Sequence, residues 1–333
     1  MVAHQSLVCG VFQKENAAHY ELFVYRLMDL STKSKTLFAV VMPVGPGKET
    51  ALDTLQSVEL YCPEPHVVFI IDDQTKDGTY EALMDAKRPH WHIFRNKHSH
   101  QIHRLVHSLC FAFEQVIART ECELVLRLDQ DALIIKPGLF QEAIAYKKSN
   151  PSVGLFGVYE VDYNRPRNFE FHKRLFDREA AWYRSLIGRR PFWKNHLRIA
   201  EENGYKRGDN VFGGAYFVTR ECLEAAMKIG ALNVPWHWHS KIQEDVYFSM
   251  IAVAAGLRLG HFAAPEGPLC MEWRGLPYPA TTLAASKYKL VHSVDKGPNT
   301  GKIENGGKTA REVFRDLRVA TISDRETTNL LSK

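Results

Sequence analysis

Three short apolar runs, each leading into a polar turn and a helix-forming stretch, constrain the fold of this chain most strongly. They cover residues 37–42, 66–71 and 124–128. Continuous apolar runs of this length are typical of strands that are buried on both faces of a sheet. Their alternation with helical patterns at 48–60 and 102–118 predicts an α/β fold, with a mostly parallel central sheet and helices on both faces.

Acidic residues stand where two of these runs end. Asp72 and Asp73 follow the second run, and Asp129-Gln130-Asp131 follows the third. The carboxyl ends of parallel strands meet at one edge of an open α/β sheet, where ligands bind. Two carboxylates one residue apart can hold a hard divalent cation, which in turn can hold a diphosphate. A solvated turn is the alternative, because about one Asp-x-Asp tripeptide is expected by chance in a chain of this length.

A strand ending at Pro43, a strand ending in Asp-Asp-x-x-x-Asp-Gly-Thr and a strand ending in Asp-x-Asp occur in that order. In this combination the chain resembles the GT-A fold glycosyltransferases, most closely those of family 2, over roughly residues 36–295. The resemblance implies that Pro43 faces the donor nucleotide. It also implies that Asp72 and Asp73 hold the base and the ribose of that nucleotide.

The resemblance further implies a metal site and a catalytic base. Asp129 and Asp131 would form the metal-binding pair, with Asp129 also assisting through the ribose, and His292 would complete the site. The implied cofactor is Mn2+ or Mg2+. Asp245, in an acidic pair that opens a helix, would be the base, and Glu244 is the alternative base. A structural histidine and an acidic pair that only complements a helix dipole are the competing interpretations.

Two further segments are assigned to the donor sugar and the acceptor. Gly213 and Gly214, within a predicted strand over 211–218, would let the backbone approach the donor sugar closely, although a β-bulge is an alternative. Trp236 and Trp238 lie just before the acidic pair. Flat apolar rings suit the faces of sugars and other cyclic acceptors, so we expect these two side chains to contact the acceptor.

The chain departs from the family pattern after its third predicted strand, where a Gly- and Asn-rich stretch is usual. Residues 95–104 are basic and histidine-rich instead. We expect Arg104 or Lys97 to contact the diphosphate of the donor. A second metal site on a helical face that carries three histidines is the less economical hypothesis, because no carboxylate completes the ligand set. These histidines are His100, His103 and His107.

The resemblance also suggests a division of the chain. An N-terminal helical extension precedes one glycosyltransferase domain, and a loosely held tail with a short helix near 310–317 follows it. Within the domain, an insertion rich in arginine and aromatic residues separates a nucleotide-binding half from an acceptor and catalytic half, and we expect it to cover the donor pocket. The segments in order are 1–35, 36–158, 159–210, 211–295 and 296–333, of which 36–295 form the domain.

Composition excludes several classes of protein. The formal net charge is +5, but the basic residues are scattered and match no nucleic-acid motif, so we expect no nucleic-acid partner. No stretch approaches the length of a transmembrane segment. The six cysteines show no C-x-x-C spacing and several lie in apolar runs, which favours reduced core residues and a cytoplasmic location. Homo-oligomerisation stays open.

The sequence therefore predicts a metal-dependent glycosyltransferase. It would move a sugar from a nucleoside diphosphate, with UDP favoured by the resemblance, to an acceptor hydroxyl of unknown class, with inversion at the anomeric carbon. A non-catalytic member that binds a sugar nucleotide or a partner protein is one alternative. A nucleotidyltransferase is another, although the Gly-rich loop with Arg and Lys is missing after the first strand. A Rossmann dehydrogenase is excluded because G-x-G-x-x-G is absent there.

Overall fold

A seven-stranded mixed sheet forms the centre of the molecule in the computed structural model, which describes residues 33–96, 105–162, 165–181, 191–234, 240–303 and 305–331. Within these ranges the protein has twelve strands, which belong to three sheets. They are β1 (Phe38–Val44), β2 (His66–Asp72), β3 (Trp91–Arg95), β4 (Leu124–Leu128), β5 (Leu133–Ile134), β6 (Val153–Gly157), β7 (Val161–Asp162), β8 (Arg165–Pro166), β9 (Ala215–Thr219), β10 (Arg258–His261), β11 (Leu269–Met271) and β12 (Leu290–His292).

The central sheet has the strand order β10-β6-β9-β4-β1-β2-β3. Only β9 runs antiparallel to its neighbours, β4 and β6, and the other adjacent pairs are parallel. The prediction of an α/β fold with a mostly parallel sheet is confirmed. Because β1, β2, β3 and β4 run in the same direction, their carboxyl ends lie at one edge of the sheet, and the residues that follow them meet there.

Helices cover both faces of this sheet. They are α1 (Lys48–Tyr61), α2 (Thr79–Asp85), α3 (Leu105–Arg119), α4 (Leu139–Ser149), α5 (Glu170–Ala180), α6 (Lys194–Glu202), α7 (Arg220–Lys228), α8 (Glu244–Ala254), α9 (Ala280–Ala285) and α10 (Ala310–Leu331). Alternate residues of β1 point to opposite faces: Phe38 and Val40 pack in the core with α1, α2 and α4, while Ala39 and Val41 pack in the core with α3, α6, α7 and α8.

A second, three-stranded sheet places one part of the chain at the edge where the parallel strands β1–β4 end. It has the order β11-β12-β5, and β12 pairs antiparallel with β5, so that Leu290 lies opposite Ile134. Since β5 begins two residues after Asp131, this pairing places the end of β12, His292, beside the acidic turn that follows β4. Apolar residues of this sheet share a third core with Ala310 and Phe314 of α10.

The structure differs from the sequence-based expectations at two elements. The predicted strand over 211–218 begins only at Ala215, and Gly213 and Gly214 form a turn before it, because Gly214 has a positive φ of 94° and its carbonyl accepts a hydrogen bond from the Asp129 amide. The helix expected near 310–317 continues to Leu331. The predicted N-terminal helix lies outside the described residues.

The start of α10 is held by a buried cluster of charges. Asp53 of α1 is 3% exposed and binds three arginines from successive turns of α10, which are Arg311, Arg315 and Arg318. Burial disfavours the charge on Asp53, but the arginines outweigh it and lower the pKa of its carboxyl. The beginning of the expected loose tail is thus anchored to the domain.

Within the parts of the chain that the structure describes, no helix has both the length and the apolar character needed to cross a bilayer.

Candidate active site

Three predicted metal ligands meet at the edge of the central sheet where the parallel strands β1–β4 end. Asp129 and Asp131 follow β4, and His292 ends β12; one ligand atom from each lies within 4.8 Å of the others. The Nε2 atom of His292 is 3.2 Å from an Asp131 carboxylate oxygen and 3.9 Å from one of Asp129. Two carboxylates and an imidazole are a donor set that accepts Mn2+ or Mg2+.

The His292 ring is oriented by the backbone behind it. Its Nδ1 atom lies 3.1 Å from the Glu272 carbonyl oxygen, which can only accept a hydrogen bond. Nδ1 therefore donates to this carbonyl, and Nε2 faces the two aspartates, where it can donate a hydrogen bond when it carries a proton and can bind a cation when it does not. Burial disfavours the charge on Asp131, but hydrogen bonds from His292 and the Ser293 hydroxyl outweigh it and lower the pKa of this carboxyl.

Gly214 leaves the space that the His292 ring occupies. A Cβ atom at position 214 would lie 2.9 Å from three atoms of the ring, and the backbone there has φ +94°. Both the contact and the backbone conformation therefore require glycine. The same residue holds the acidic turn, because its carbonyl accepts a 2.7 Å hydrogen bond from the Asp129 amide.

We expect Gly214→Ala to destabilise the protein by about 1–3 kcal/mol through backbone strain and to weaken metal-dependent donor binding by displacing His292. Denaturant unfolding and donor titration with and without Mn2+ would measure the two effects. Gly230→Ala is the matched control, because Gly230 also has a positive φ but its Cβ would meet nothing within 4 Å. Unchanged metal-dependent donor binding in Gly214→Ala would contradict the role given to this contact.

Arg127 links Asp129, one of the predicted metal ligands, to the acidic pair of α8, and sequence reasoning missed it. Its side chain is 1% exposed, and one Nη atom lies 2.8 Å from Asp129 and 3.0 Å from Glu244. The guanidinium also stands over the Tyr216 ring at 5.6 Å. An arginine inside an otherwise apolar buried strand is unusual and was the available signal, since a buried charge needs a partner.

The two candidate bases have different surroundings. Burial, opposed by Arg127, raises the pKa of Glu244 to about 7. Asp245 is 6% exposed, and its Oδ2 atom accepts 2.9 Å hydrogen bonds from the Asn210 side chain and the Gly213 amide. A Cβ at Gly213 would stand 3.2–3.3 Å from both carboxylates, so a glycine here keeps the space beside them clear.

A cavity of about 590 Å3 opens beside the two predicted metal ligands that follow β4. It is lined by Pro43, Asp73 and Asp129, as predicted for a nucleotide site, and by the unpredicted Lys296. Gln130 lines it too and fixes its rim: its side-chain oxygen accepts a hydrogen bond from the Gly45 amide at 2.9 Å, and its side-chain nitrogen donates to the Pro46 carbonyl at 3.0 Å.

Asp72 is not among the residues that line this cavity. It is fully buried, and its carboxylate binds the Arg95 guanidinium at 3.1 Å and the Thr75 hydroxyl. These contacts hold Asp72 within the protein, while Asp73 lines the cavity, and the contact of Asp72 with the nucleotide stays a prediction. The expectations for Lys97, Arg104, His100, His103, Trp236 and Trp238 fall outside the described residues.

Comparison with known proteins identifies the family. The family model described as "Glycosyl transferase family 2" matches residues 39–212, more than half of the chain. No curated protein matches. One similar solved structure is the mannosyltransferase PcManGT from Pyrobaculum calidifontis in complex with GDP-Man and Mn2+, at 15% identity and a TM-score of 0.43, covering 74% of this chain and 62% of that one.

A second is residues 1–349 of TarS from S. aureus, at 14% identity and a TM-score of 0.41, covering 69% of this chain and 58% of that one. This chain therefore spans about three fifths of the length of these two solved chains. The extended match to the family model decides the assignment: the chain belongs to glycosyl transferase family 2.

Proposed function

We propose that this glycosyltransferase is metal-dependent, uses a nucleoside-diphosphate sugar with UDP as its nucleotide, and transfers the sugar to an acceptor hydroxyl with inversion. One observation carries the proposal. Arg127 connects a carboxylate of the metal triad, Asp129, to the acidic pair at the start of α8, so that metal ligands and candidate base adjoin in one site.

The triad of Asp129, Asp131 and His292 would hold the cation. Its donors are two carboxylates and an imidazole whose Nε2 atom already faces them, which fits Mn2+ or Mg2+. When bound, the cation supplies Lewis-acid stabilisation of the charge that develops on the departing nucleoside diphosphate. Lys296 lines the same cavity and adds a positive charge for the diphosphate.

Asp245 would serve as the base. It accepts the proton of the acceptor hydroxyl while that oxygen forms a bond to the anomeric carbon, and the bond to the diphosphate breaks with its electron pair leaving on the diphosphate. A single displacement of this kind inverts the anomeric configuration. Hydrogen bonds from Asn210 and Gly213 fix the carboxylate during this step.

The donor and its metal dependence can be tested together. Purified protein is incubated with UDP-, GDP- and dTDP-sugars, in Mn2+, Mg2+ or EDTA, and thermal stability and released nucleoside diphosphate are recorded. We expect stabilisation and slow release with a UDP-sugar only when the metal is present, and loss of both in Asp131→Asn. Asp85→Asn, an exposed aspartate on α2, is the matched control.

Several outcomes would contradict the proposal. Full activity in EDTA would contradict the metal dependence. Retention of configuration in the NMR spectrum of the product would contradict the single displacement. A response to a GDP-sugar alone would correct the nucleotide. Stabilisation by a donor without any turnover, in the presence of candidate acceptors, would favour the non-catalytic alternative.

A further inference from the structure

A second cluster of metal-ligating side chains lies at the edge of the sheet opposite the donor cavity. Glu59 belongs to the last part of α1, His66 is the first residue of β2, and His90 immediately precedes β3. The Glu59 Oε1 atom is 2.8 Å from His90 Nε2 and 3.6 Å from His66 Nε2, and the three atoms all lie within 4.8 Å of one another.

His66 presents an unpartnered nitrogen to this cluster. Its Nδ1 atom lies 3.0 Å from the Glu64 carbonyl oxygen and donates to it, so Nε2 carries the lone pair when the ring is neutral. Burial disfavours the charged ring, but Glu59 outweighs it and raises the pKa of His66, so a cation at Nε2 would replace a proton. The side chain is 8% exposed, and Nε2 is buried without a hydrogen-bond partner. Buried polar atoms in this condition are rare, and a backbone carbonyl behind the other ring nitrogen is typical of metal-binding histidines.

Glu59 is prepared as an anionic ligand. Its Oε2 atom is occupied by Arg88 at 3.0 Å, and its Oε1 atom, which faces both histidines, accepts a 2.8 Å hydrogen bond from the Trp91 indole. Burial disfavours the charge, but the neighbouring His66 ring, the Trp91 indole and the His90 ring outweigh it and lower the pKa of this carboxyl to about 2. The ionised carboxylate thus stands between two imidazoles.

We propose that Glu59, His66 and His90 form a site for a zinc-type cation, distinct from the donor metal site. Two imidazole nitrogens and one carboxylate oxygen are a common donor set for Zn2+. In tetrahedral coordination these ligand atoms stand about 3.3 Å apart, between the 2.8 Å and 3.6 Å separations that surround Glu59 Oε1.

Such an ion would join α1 to the starts of β2 and β3. Its expected role is structural, because the cluster lies at the amino ends of strands whose carboxyl ends carry the donor site. The inference does not depend on the proposed transfer chemistry. It therefore predicts a metal that stabilises folding even where donor binding is abolished.

The test is a Zn2+ titration of metal-stripped protein in excess Mg2+, followed by calorimetry and by thermal unfolding. All variants carry Asp131→Asn, which weakens the donor metal site. We expect one equivalent of bound Zn2+ and a raised unfolding temperature, and His90→Ala should weaken this binding at least about tenfold. Co2+ should show the visible absorption of tetrahedral coordination in the same protein, and the absorption should be lost in His90→Ala.

His196→Ala is the matched control, because His196 binds the Ile229 carbonyl and its helix packs in the core on the opposite face of the sheet. His66→Ala provides a second removal of a ligand. Should that variant fail to fold, His90→Ala still decides, because the His90 side chain is 32% exposed and tolerates truncation. Equal Zn2+ binding by the Asp131→Asn protein with and without His90→Ala, or no binding by either, would overturn the proposal.

Discussion

Replacing Asp245 by asparagine is expected to lower turnover by about a hundred- to ten-thousand-fold while leaving donor binding nearly unchanged. The substitution keeps the size of the side chain, and the amide oxygen can still accept the hydrogen bonds from Asn210 and Gly213. It removes the proton-accepting charge. Initial rates at saturating donor, together with donor affinity by calorimetry, would separate the loss of chemistry from a loss of binding.

Glu244→Gln is the comparison that decides which acid is the base. Glu244 contacts Arg127 at 3.0 Å, and the amide oxygen of glutamine can retain that contact, so we expect a smaller loss than for Asp245→Asn. Asp85→Asn is the control for an aspartate outside the site. If Asp245→Asn turned over like the wild type with intact folding, and Glu244→Gln did not, the role of base would pass to Glu244.

The second large effect concerns stability. Asp53→Asn is expected to lower the free energy of unfolding by about 3–5 kcal/mol, because it leaves the buried Arg318 without its counter-charge. Arg311 retains a second partner, Asp295, at 2.7 Å, and Arg315 is half exposed, so Arg318 dominates the loss. Denaturant unfolding followed by circular dichroism would measure the change.

The direction in which the free energy of unfolding changes with pH follows from the lowered pKa of Asp53. A carboxyl with a lowered pKa in the folded state contributes stability above its ordinary value of 3.8 and loses that contribution as the pH falls through the lowered value. The wild type should therefore lose more stability on acidification than Asp53→Asn does. Parallel pH profiles of the two proteins would contradict this account.

Two further variants sharpen this prediction. Asp316→Ala removes an exposed carboxylate of the same helix, paired with Lys308, and should leave stability nearly unchanged because solvent screens this pair. Adding Arg318→Met to Asp53→Asn removes the unpaired charge as well and should restore part of the lost stability. If the double variant were no more stable than Asp53→Asn, the unpaired arginine would not be the cause.

Much of the fold could be predicted because local sequence pattern and sheet topology agree. The run 124–128 forms a strand that is buried at every position, and Asp129 follows it at the edge where parallel strands end. The same rule puts Asp73, which follows β2, at this edge, where it lines the cavity. It could not separate Asp73 from Asp72, because neighbouring residues of one strand end point in opposite directions and the pairing of Asp72 with Arg95 depends on β3.

The parts that the sequence did not reveal depend on contacts between distant segments. Arg127 acquires its role only when β4 lies beside the start of α8, and Asp53 meets Arg318 across 265 positions. The tail was expected to be loose because it opens with Gly, Pro and Asn, yet the arginines of α10 find a buried carboxylate on α1. No periodicity within one segment carries that information.

The two hydrogen bonds of Gln130 have a consequence for changing donor preference by engineering. They join the middle of the Asp-x-Asp motif to Gly45 and Pro46, so the loop after β1 and the turn after β4 share one rim of the cavity. Replacing only one of the two segments by that of a relative would break the hydrogen bonds between the Gln130 side-chain amide and the backbone of Gly45 and Pro46. The two segments form a single exchangeable unit, and libraries that aim at a new nucleotide sugar should vary them together.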